Sequence, residues 1–345
     1  MGQRSTRTPK DLLAAKLIDE DDLQAVADVA QRYAVSITPA IQDLIFEPDD
    51  GVGRQFVPTS LELITTPEEN DDPIGDDPFT PVKGITHRYP DRVLFKPVHV
   101  CPVYCRFCFR REVVGPGDQM LKDQSLEAAL DYIRAHPRIW EVIFTGGDPL
   151  IVAPTKLRPM LEALDAIEHV KVIRFHTRVP VVDPRRVTQD LVEALQLSTP
   201  VWVVVHTNHS QEIGDDARAA LARLVDGGIP LVSQTVLLKG VNDTPEVLED
   251  LFRTLIVNRV KPYYLHHGDL AKGTSHFRTT IAEGQQLMRS LRGRVSGMCQ
   301  PTYVLDIPGG HGKVPIGPVY LSEDAARVTD PWGEEHVYPP KPDDA

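Results

Sequence analysis

From residue 92 onward, short apolar segments rich in β-branched residues alternate with longer segments that have the spacing of amphipathic helices. After the first gap, the apolar segments recur about every 30 residues, which is the size of a β–α unit. They cover residues 92–100, 141–145, 170–176, 200–206, 230–238 and 260–265. Strands without polar alternation are typical of a parallel sheet covered by helices. We therefore predict an α/β fold, namely a partial, open (β/α)6 barrel.

Helical patterns separate these strands, and the clearest of them cover residues 154–166, 184–197, 215–226 and 245–258. Ser125 stands where an N-cap would start a further helix that carries Leu126 and Leu130 on one face. In barrels of this kind the chemistry lies on loops at the C-terminal ends of the strands. Residues at or just after those ends are therefore the first candidates for a functional site.

Three other segments flank this repeat. Residues 11–46 have helical spacing, which predicts two or three short helices packed as an N-terminal cap. Residues 67–81 are rich in Pro, Asp and Gly, and predict an acidic, solvated loop. We divide the chain into a cap with this loop (1–80), a barrel (81–320) and a polar, Pro-rich tail (321–345).

Composition excludes several classes of function. The net charge of −12 argues against a nucleic-acid-binding surface, which would need a basic patch. No run of 18 apolar residues is present, so we predict no membrane span. The N-terminus shows no apolar core of a secretory signal. Three of the four cysteines are clustered, which suits a reducing compartment, and we expect a cytoplasmic protein.

Cys101, Cys105 and Cys108 follow the first strand with the spacing C-x3-C-x2-C. Three thiolates so placed can ligate three of the four irons of a cubane cluster, which leaves the fourth iron free to bind and reduce another molecule. Structural zinc would need a fourth ligand, and His99 could serve formally, although it lies in the strand before the loop. A disulfide framework would need an even, dispersed set. The spacing favours the cluster.

The cysteine motif, with Phe107 before its last cysteine, resembles that of the radical S-adenosylmethionine (SAM) enzymes. The run T-H-R-Y-P-D-R-V-L-F before the motif and Phe109-Arg110-Arg111 after it resemble the lysine 2,3-aminomutase family in particular. Matches extend to P-G-G-H-G-K at residues 308–313. The resemblance implies a barrel of the radical SAM type, a [4Fe-4S] cluster on the three cysteines, and SAM and pyridoxal 5′-phosphate (PLP) as cofactors.

Two sequence segments are candidates for holding PLP. Arg88 and Arg92 lie four residues apart around Tyr89, and two guanidiniums can clamp a phosphate, although surface ion pairs are an equal alternative on the residues alone. Lys313 follows a glycine-rich loop, where it could bond to an aldehyde cofactor, or the loop backbone could bind a phosphate. The resemblance implies that all four residues hold PLP. Phe107 departs from the family, which often has a histidine there, near the cofactor phosphate.

The second strand ends in a glycine pair, which permits positive φ or close approach of a ligand but is also a common turn. A buried glutamine in the fifth strand needs polar partners, whereas a lone histidine after the fourth is more often structural. The resemblance implies that the residues that bind SAM are Thr145, Gly146, Gly147, Asp148, His206 and Gln234.

Polar side chains also end the third and sixth strands. Arg174, His176 and Arg178 alternate and so share one face, where they line the barrel mouth or cap the sheet edge. His266 and His267 are adjacent and point to opposite faces, which makes them a poor pair of metal ligands.

Three residues match the family's substrate-binding positions. Arg110 is similar to the arginine that pairs with the substrate carboxylate, although Arg110 and Arg111 could simply be a solvated pair. Asp269 and Asp306 match carboxylates that hold the ε-ammonium of lysine. Two acidic groups compensate the charge and lost hydration of one cation, so this pair favours lysine over glutamate.

The resemblance implies an isomerase that moves the 2-amino group of free L-lysine to C3. One alternative is the relative that makes (R)-β-lysine for elongation factor P, which also has Cys-Phe-Arg-Arg, but the intact Asp306-x-Pro-Gly-Gly motif resembles the free-lysine enzymes. Others are a 2,3-aminomutase for another amino acid, such as glutamate, and a non-enzymatic iron–sulfur or zinc regulator.

Longer family members bind a structural zinc through C-terminal cysteines that this sequence lacks, and Thr244 stands where their partner cysteine would be. We therefore predict no zinc. The resemblance also implies an electron donor such as a flavodoxin or ferredoxin, and we expect a homodimer.

Overall fold

The computed structural model describes residues 4–115 and 120–340, and its main body is a nine-stranded sheet. Its strands, adjacent in chain order, are β1 (Ile85–Tyr89), β2 (Arg92–Val98), β3 (Glu141–Gly146), β4 (Val172–Thr177), β5 (Val201–His206), β6 (Leu231–Val236), β7 (Val260–His266), β8 (Thr302–Ile307) and β9 (Gly312–Pro315). Strands β2 to β8 are parallel, whereas β1 and β9 pair antiparallel with their neighbours. A separate hairpin consists of β10 (Arg327–Thr329) and β11 (Glu335–Val337).

The α-helices are α1 (Pro9–Ala14), α2 (Leu23–Arg32), α3 (Pro39–Gln42), α4 (Gly53–Phe56), α5 (Asp123–Ala135), α6 (Pro154–Asp165), α7 (Val179–Val182), α8 (Gln189–Leu195), α9 (Asp215–Asp226), α10 (Pro245–Val257) and α11 (Ile281–Leu291). Short 3₁₀ turns cover Ser60–Leu63, Asp77–Phe79, Pro149–Ile151, Pro184–Arg186, Ser210–Glu212, Ser275–Phe277 and Gly297–Cys299. No helix in the described ranges is long and apolar enough to cross a membrane.

The predicted α/β barrel is confirmed, and each of the six predicted strands is present. The sheet continues beyond them with α11 and a seventh parallel strand, β8, and it ends in an antiparallel strand at each edge. Two local predictions were wrong. Ser125 is not an N-cap, because α5 starts at Asp123. The pattern over residues 184–197 is interrupted, because the Thr188 hydroxyl accepts a hydrogen bond from the Leu191 amide (3.3 Å) and starts α8 there.

Two apolar cores position the functional end of the barrel. The larger core packs the helices against the sheet, where the rings of Phe144 and Phe175 stack with centroids 4.5 Å apart. The smaller core joins the N-terminal helices, for example through Leu12 and Phe56, to Val103 in the cysteine loop. The predicted N-terminal helices are confirmed, and they support the loop that carries the three cysteines.

The two edges of the sheet meet and narrow the opening of the barrel. The Lys313 amide on β9 donates to the Tyr89 hydroxyl on β1 (2.8 Å). The acidic segment 67–81 also lies against this junction, where a side chain on Gly75 (φ +68°) would overlap the backbone of Gly310. The prediction of a solvated loop is wrong for part of this segment, because Asp76 is buried in ion pairs with the barrel.

Candidate active site

A cavity of about 820 Å³ lies inside the barrel, and its volume is near the upper end for a small-molecule site. Every residue that the sequence singled out for a cofactor or substrate contributes to its lining: Arg88, Tyr89, Arg92, Cys101, Cys105, Cys108, Arg110, Thr145, Gly146, Gly147, Asp148, His206, Gln234, Asp269, Asp306 and Lys313. These residues are far apart in sequence, so the fold brings them together around one space. The cavity is large enough for more than one small molecule.

The three cysteines are free thiols in the loop after β2. Burial, followed by the nearby Cys105, raises the pKa of Cys108 to about 11, and burial also raises the pKa of Cys101. Thiols of this kind lose their protons when a metal cation compensates the thiolate charge. One cationic donor is already present, because an Arg178 N–H lies 3.0 Å from the Cys105 sulfur. The donor set therefore fits an iron–sulfur cluster.

Within the described part of the chain, no three His, Cys, Asp or Glu side chains are arranged to hold a single metal ion. A cubane cluster has a different requirement, because each thiolate binds a different iron.

A buried ion cluster anchors the cysteine loop to the N-terminal cap. The Glu62 carboxylate accepts the Arg106 Nε–H between its two oxygens (2.9 Å to each) and also pairs with Arg111. Arg106 and Arg111 are 1% and 3% exposed, which overturns the alternative that Arg111 belongs to a solvated pair. Sequence reasoning missed Glu62, because an acidic side chain is normally exposed and its arginine partners lie more than 40 residues away in the chain.

The glycine pair at the end of β3 is required because the local backbone conformation and the neighbouring backbone leave no room for side chains. Gly146 has φ +109°, and a side chain on Gly147 would overlap the Val100 carbonyl. The Gly147 amide donates to the Val98 carbonyl (2.7 Å), which continues the pairing of β2 and β3 toward Cys101. The Thr145–Asp148 segment therefore holds the start of the cysteine loop.

The Asp148 carboxylate stabilises the fold through hydrogen bonds to residues at the end of β4. It accepts hydrogen bonds from the Thr177 hydroxyl (2.6 Å) and from the Arg178 amide (2.7 Å) after β4. Any contact of Asp148 with a ligand would therefore come from its backbone. Arg178 also pairs with the buried Glu212, and it lines the cavity together with Arg174 and His176.

His206 and Gln234 are register partners on β5 and β6. Burial, followed by the charge of Arg178, lowers the pKa of His206 well below its usual value, so the ring is neutral. Its Nε2 atom is buried and has no hydrogen-bond partner among the described residues. Because buried polar atoms normally have partners, this atom fits a site for a polar ligand.

Lys313 lies opposite Asp306 across the β8–β9 pairing. Its amine contacts the Asp306 carboxylate and lies 3.2 Å from His266 Nδ1. Burial raises the pKa of Asp306, but the polar contact with His266, whose Nδ1 lies 3.6 Å away, and the charge of Lys313 outweigh burial and hold the pKa well below its usual range. The lysine is thus on an edge strand, just after the glycine-rich loop and not inside it.

Asp269 follows β7 in the same cavity. Burial, followed by the charge of Asp306, raises the pKa of Asp269 to about 7. Two carboxylates therefore share this end of the cavity with the single ammonium of Lys313. The pair can accept a further cation, because Asp269 ionises near neutral pH.

Asp76 does not line the cavity but pairs with two arginines that do, and sequence reasoning missed it most completely. Its carboxylate pairs with Arg88 (2.6 Å) and Arg110 (2.9 Å), and Lys96 lies 3.9 Å away. Asp76 pairs with both cavity-lining arginines at once, which leaves the wall that they form electropositive, whereas Lys96 also lies near Asp72 and Asp77. Its position in a Pro- and Asp-rich segment gave no sign of burial.

The two arginines of the expected phosphate clamp have different partners. Arg88 faces Asp76, whereas Arg92 pairs with Asp91 (2.6 Å) and lies over the Tyr89 ring, 3.9 Å from its centroid. Arg88 Nε is buried and has no partner among the described residues. A free guanidinium N–H on an electropositive wall, near a lysine amine, fits an aldehyde cofactor that carries a phosphate.

Comparison with known proteins identifies the family of this chain. The radical SAM superfamily profile matches residues 95–252, and the lysine-2,3-aminomutase profile matches residues 288–329. L-lysine 2,3-aminomutase of Clostridium subterminale is 40% identical over 306 residues, which cover 88% of this chain and 74% of that protein. The enzyme of the same name from Acetoanaerobium sticklandii is 44% identical over 303 residues, with 87% and 73% covered.

The relatives also include a protein with a different substrate in its name. Glutamate 2,3-aminomutase of Clostridioides difficile is 36% identical over 306 residues, which cover 88% of this chain and 72% of that protein. The predicted isomerase class, the [4Fe-4S] cluster and SAM are confirmed at the level of the family. The chain belongs to the lysine 2,3-aminomutase family of radical SAM enzymes.

Proposed function

We propose that the chain is a PLP-dependent aminomutase that converts free L-lysine to β-lysine by moving its 2-amino group to C3. The observation that carries the proposal is that one cavity contains the three cysteines, Lys313 and the carboxylate pair Asp269 and Asp306. Asp306 already holds one primary ammonium, that of Lys313. A site with this preference is suited to the ε-ammonium of a lysine substrate.

In this proposal Lys313 holds the aldehyde carbon of PLP, and Arg88, Tyr89 and Arg92 hold its phosphate end. PLP, when bound, supplies the electron-delocalising system on which an amino group migrates between adjacent carbons. Cys101, Cys105 and Cys108 hold the cluster.

The residues proposed for SAM are those at the ends of β3, β5 and β6: Thr145, Gly146, Gly147, Asp148, His206 and Gln234. SAM held by these residues would supply, after one-electron reduction by an external donor, the radical chemistry that removes a hydrogen atom from the substrate. The protein positions a single C–H bond and excludes water, which an enclosed barrel interior favours.

Arg110 binds the substrate carboxylate in this proposal. Asp76 holds the Arg110 guanidinium with a 2.9 Å ion pair, and the surplus positive charge on this wall attracts an anion. The part of the cavity around Lys313 is instead lined by carboxylates, those of Asp306 and Asp269. A glutamate side chain would bring a third carboxylate to Asp269 and Asp306, and like charges in a buried site disfavour each other.

The test is anaerobic incubation of the protein, reconstituted with iron, sulfide and PLP, with SAM, a reductant and either L-lysine or L-glutamate. Chiral chromatography should show β-lysine from lysine and no β-glutamate from glutamate. Turnover of glutamate would contradict the substrate assignment. A product of (R) configuration would instead favour the alternative that serves elongation factor P.

A further inference from the structure

His266, the last residue of β7, touches the proposed PLP lysine. Its Nδ1 atom lies 3.2 Å from Lys313 Nζ and 3.6 Å from the Asp306 carboxylate. Its neighbour His267 points to the other face and bonds to the Tyr303 hydroxyl through Nδ1 (2.7 Å). From the sequence, His266 and its neighbour are only a poor pair of metal ligands.

The contacts of His266 define which of its nitrogens is free to accept a proton. Burial, followed by the charge of Lys313, lowers the pKa of His266, so the ring is neutral near pH 7. The Lys313 ammonium donates to Nδ1, so in the neutral ring the hydrogen is on Nε2. Nε2 is buried and has no partner among the described residues. Nδ1 therefore presents a lone pair to the lysine amine.

The lysine amine has to lose a proton before it can attack an aldehyde. Asp306 stabilises the ammonium, and its low pKa makes it a poor acceptor for that proton. The other ionisable groups near His266 are Tyr264 on its own strand, His176 on β4 and His206 on β5, and Asp269 after β7 lines the same cavity. In the described structure, the hydrogen bonds of Lys313 Nζ are to Asp306 and His266.

We propose that His266 is the base that takes the proton from Lys313 when the lysine attaches to its aldehyde cofactor. The inference rests on the proposed function, because it presumes PLP at Lys313. The ammonium proton moves to Nδ1, and the freed amine forms a bond to the aldehyde carbon. The carbonyl oxygen leaves as water with the two remaining amine hydrogens, and the proton on Nδ1 returns to the linking nitrogen.

The test compares full-length wild-type protein with the variants His266→Gln and His267→Gln. The glutamine at position 266 retains a hydrogen-bond acceptor but cannot titrate, and His267→Gln is the matched control on the opposite face. PLP is added to PLP-free protein, attachment is followed by the visible absorbance of the bound cofactor, and the linked residue is identified by borohydride reduction and mass spectrometry. Cluster absorbance and SAM cleavage report whether each variant is folded.

We expect the rate constant for attachment at Lys313 to fall about 10²-fold in His266→Gln and to stay unchanged in His267→Gln. The wild-type attachment rate should decrease as the pH falls and His266 becomes protonated. The rate of the His266→Gln variant should not show this decrease. A folded His266→Gln variant with the wild-type rate and pH profile would overturn the inference. If wild-type protein forms no link at Lys313, the proposed function itself fails, which separates the two outcomes.

Discussion

At the scale of single residues, the free protein uses the ammonium of Lys313 to neutralise Asp306. Among the described residues no cation forms an ion pair with Asp269, and burial and the charge of Asp306 keep its pKa raised. The two carboxylates therefore differ in charge before any ligand binds, although they line one cavity.

Lys313→Ala should abolish attachment of PLP and formation of β-lysine, because it removes the nitrogen that bonds to the cofactor. Cleavage of SAM by the reduced cluster should persist, since the cysteine loop does not depend on this side chain. Lys171→Ala, at an exposed lysine before β4, is the control. Absorbance spectra and product analysis provide both readouts, and wild-type β-lysine formation in Lys313→Ala would refute the assignment.

Asp269 predicts a pH dependence of lysine binding. Its pKa is raised to about 7, so the carboxyl is neutral below that pH and cannot attract an ammonium. Affinity for lysine should therefore rise severalfold from about pH 6 to about pH 8, and Asp269→Asn should weaken binding and remove the dependence. Asp306 has a lowered pKa and stays ionised over this range, so it does not contribute to the pH dependence of lysine binding. Measurement of KM against pH tests this, and the same pH dependence in Asp269→Asn would contradict it.

At the scale of elements, the cysteine loop is held from two sides. The segment after β3 pairs with its start through the Asp148 amide, which donates to the Val100 carbonyl (2.9 Å), and the N-terminal cap holds it through Glu62. Each support can be tested separately.

Gly147→Ala should displace the cysteine loop, because the added methyl group would overlap the backbone of Val100. We expect a loss of about 1–3 kcal/mol in the free energy of unfolding and lower iron content after reconstitution. Gly297→Ala is the matched control, since its added methyl group meets nothing within 4 Å. Denaturant unfolding and iron analysis measure both effects; unchanged iron content in Gly147→Ala would argue against this role.

Glu62→Gln should leave Arg106 and Arg111 buried without their counter-charge. Breaking a buried ion cluster in this way costs about 3–5 kcal/mol. The control Glu127→Gln disrupts an ion pair with Arg134 in which the Glu127 side chain is 61% exposed, and should cost less than about 1 kcal/mol. Equal unfolding free energies for the two variants would show that the buried cluster does not stabilise the fold.

At the scale of the whole molecule, the repeating pattern of apolar strands predicted the barrel because each strand carries its own local signal. Strands β1 and β9 were missed, because Arg88 and Lys313 face the cavity and break the apolar pattern. The partners Asp76 and Glu62 were also missed, since their burial depends on arginines elsewhere in the chain. Motif spacing and family resemblance, by contrast, selected residues that all line one cavity.

The central claim is that the cluster end and the lysine end of this cavity act on one substrate molecule. The most direct test is anaerobic incubation of the reconstituted protein with SAM and L-lysine deuterated at C3, followed by mass spectrometry of the recovered 5′-deoxyadenosine. The account predicts deuterium in 5′-deoxyadenosine from wild-type protein and none from Lys313→Ala. Cleavage of SAM in wild-type protein without transfer of deuterium, under conditions that saturate lysine and PLP, would contradict it.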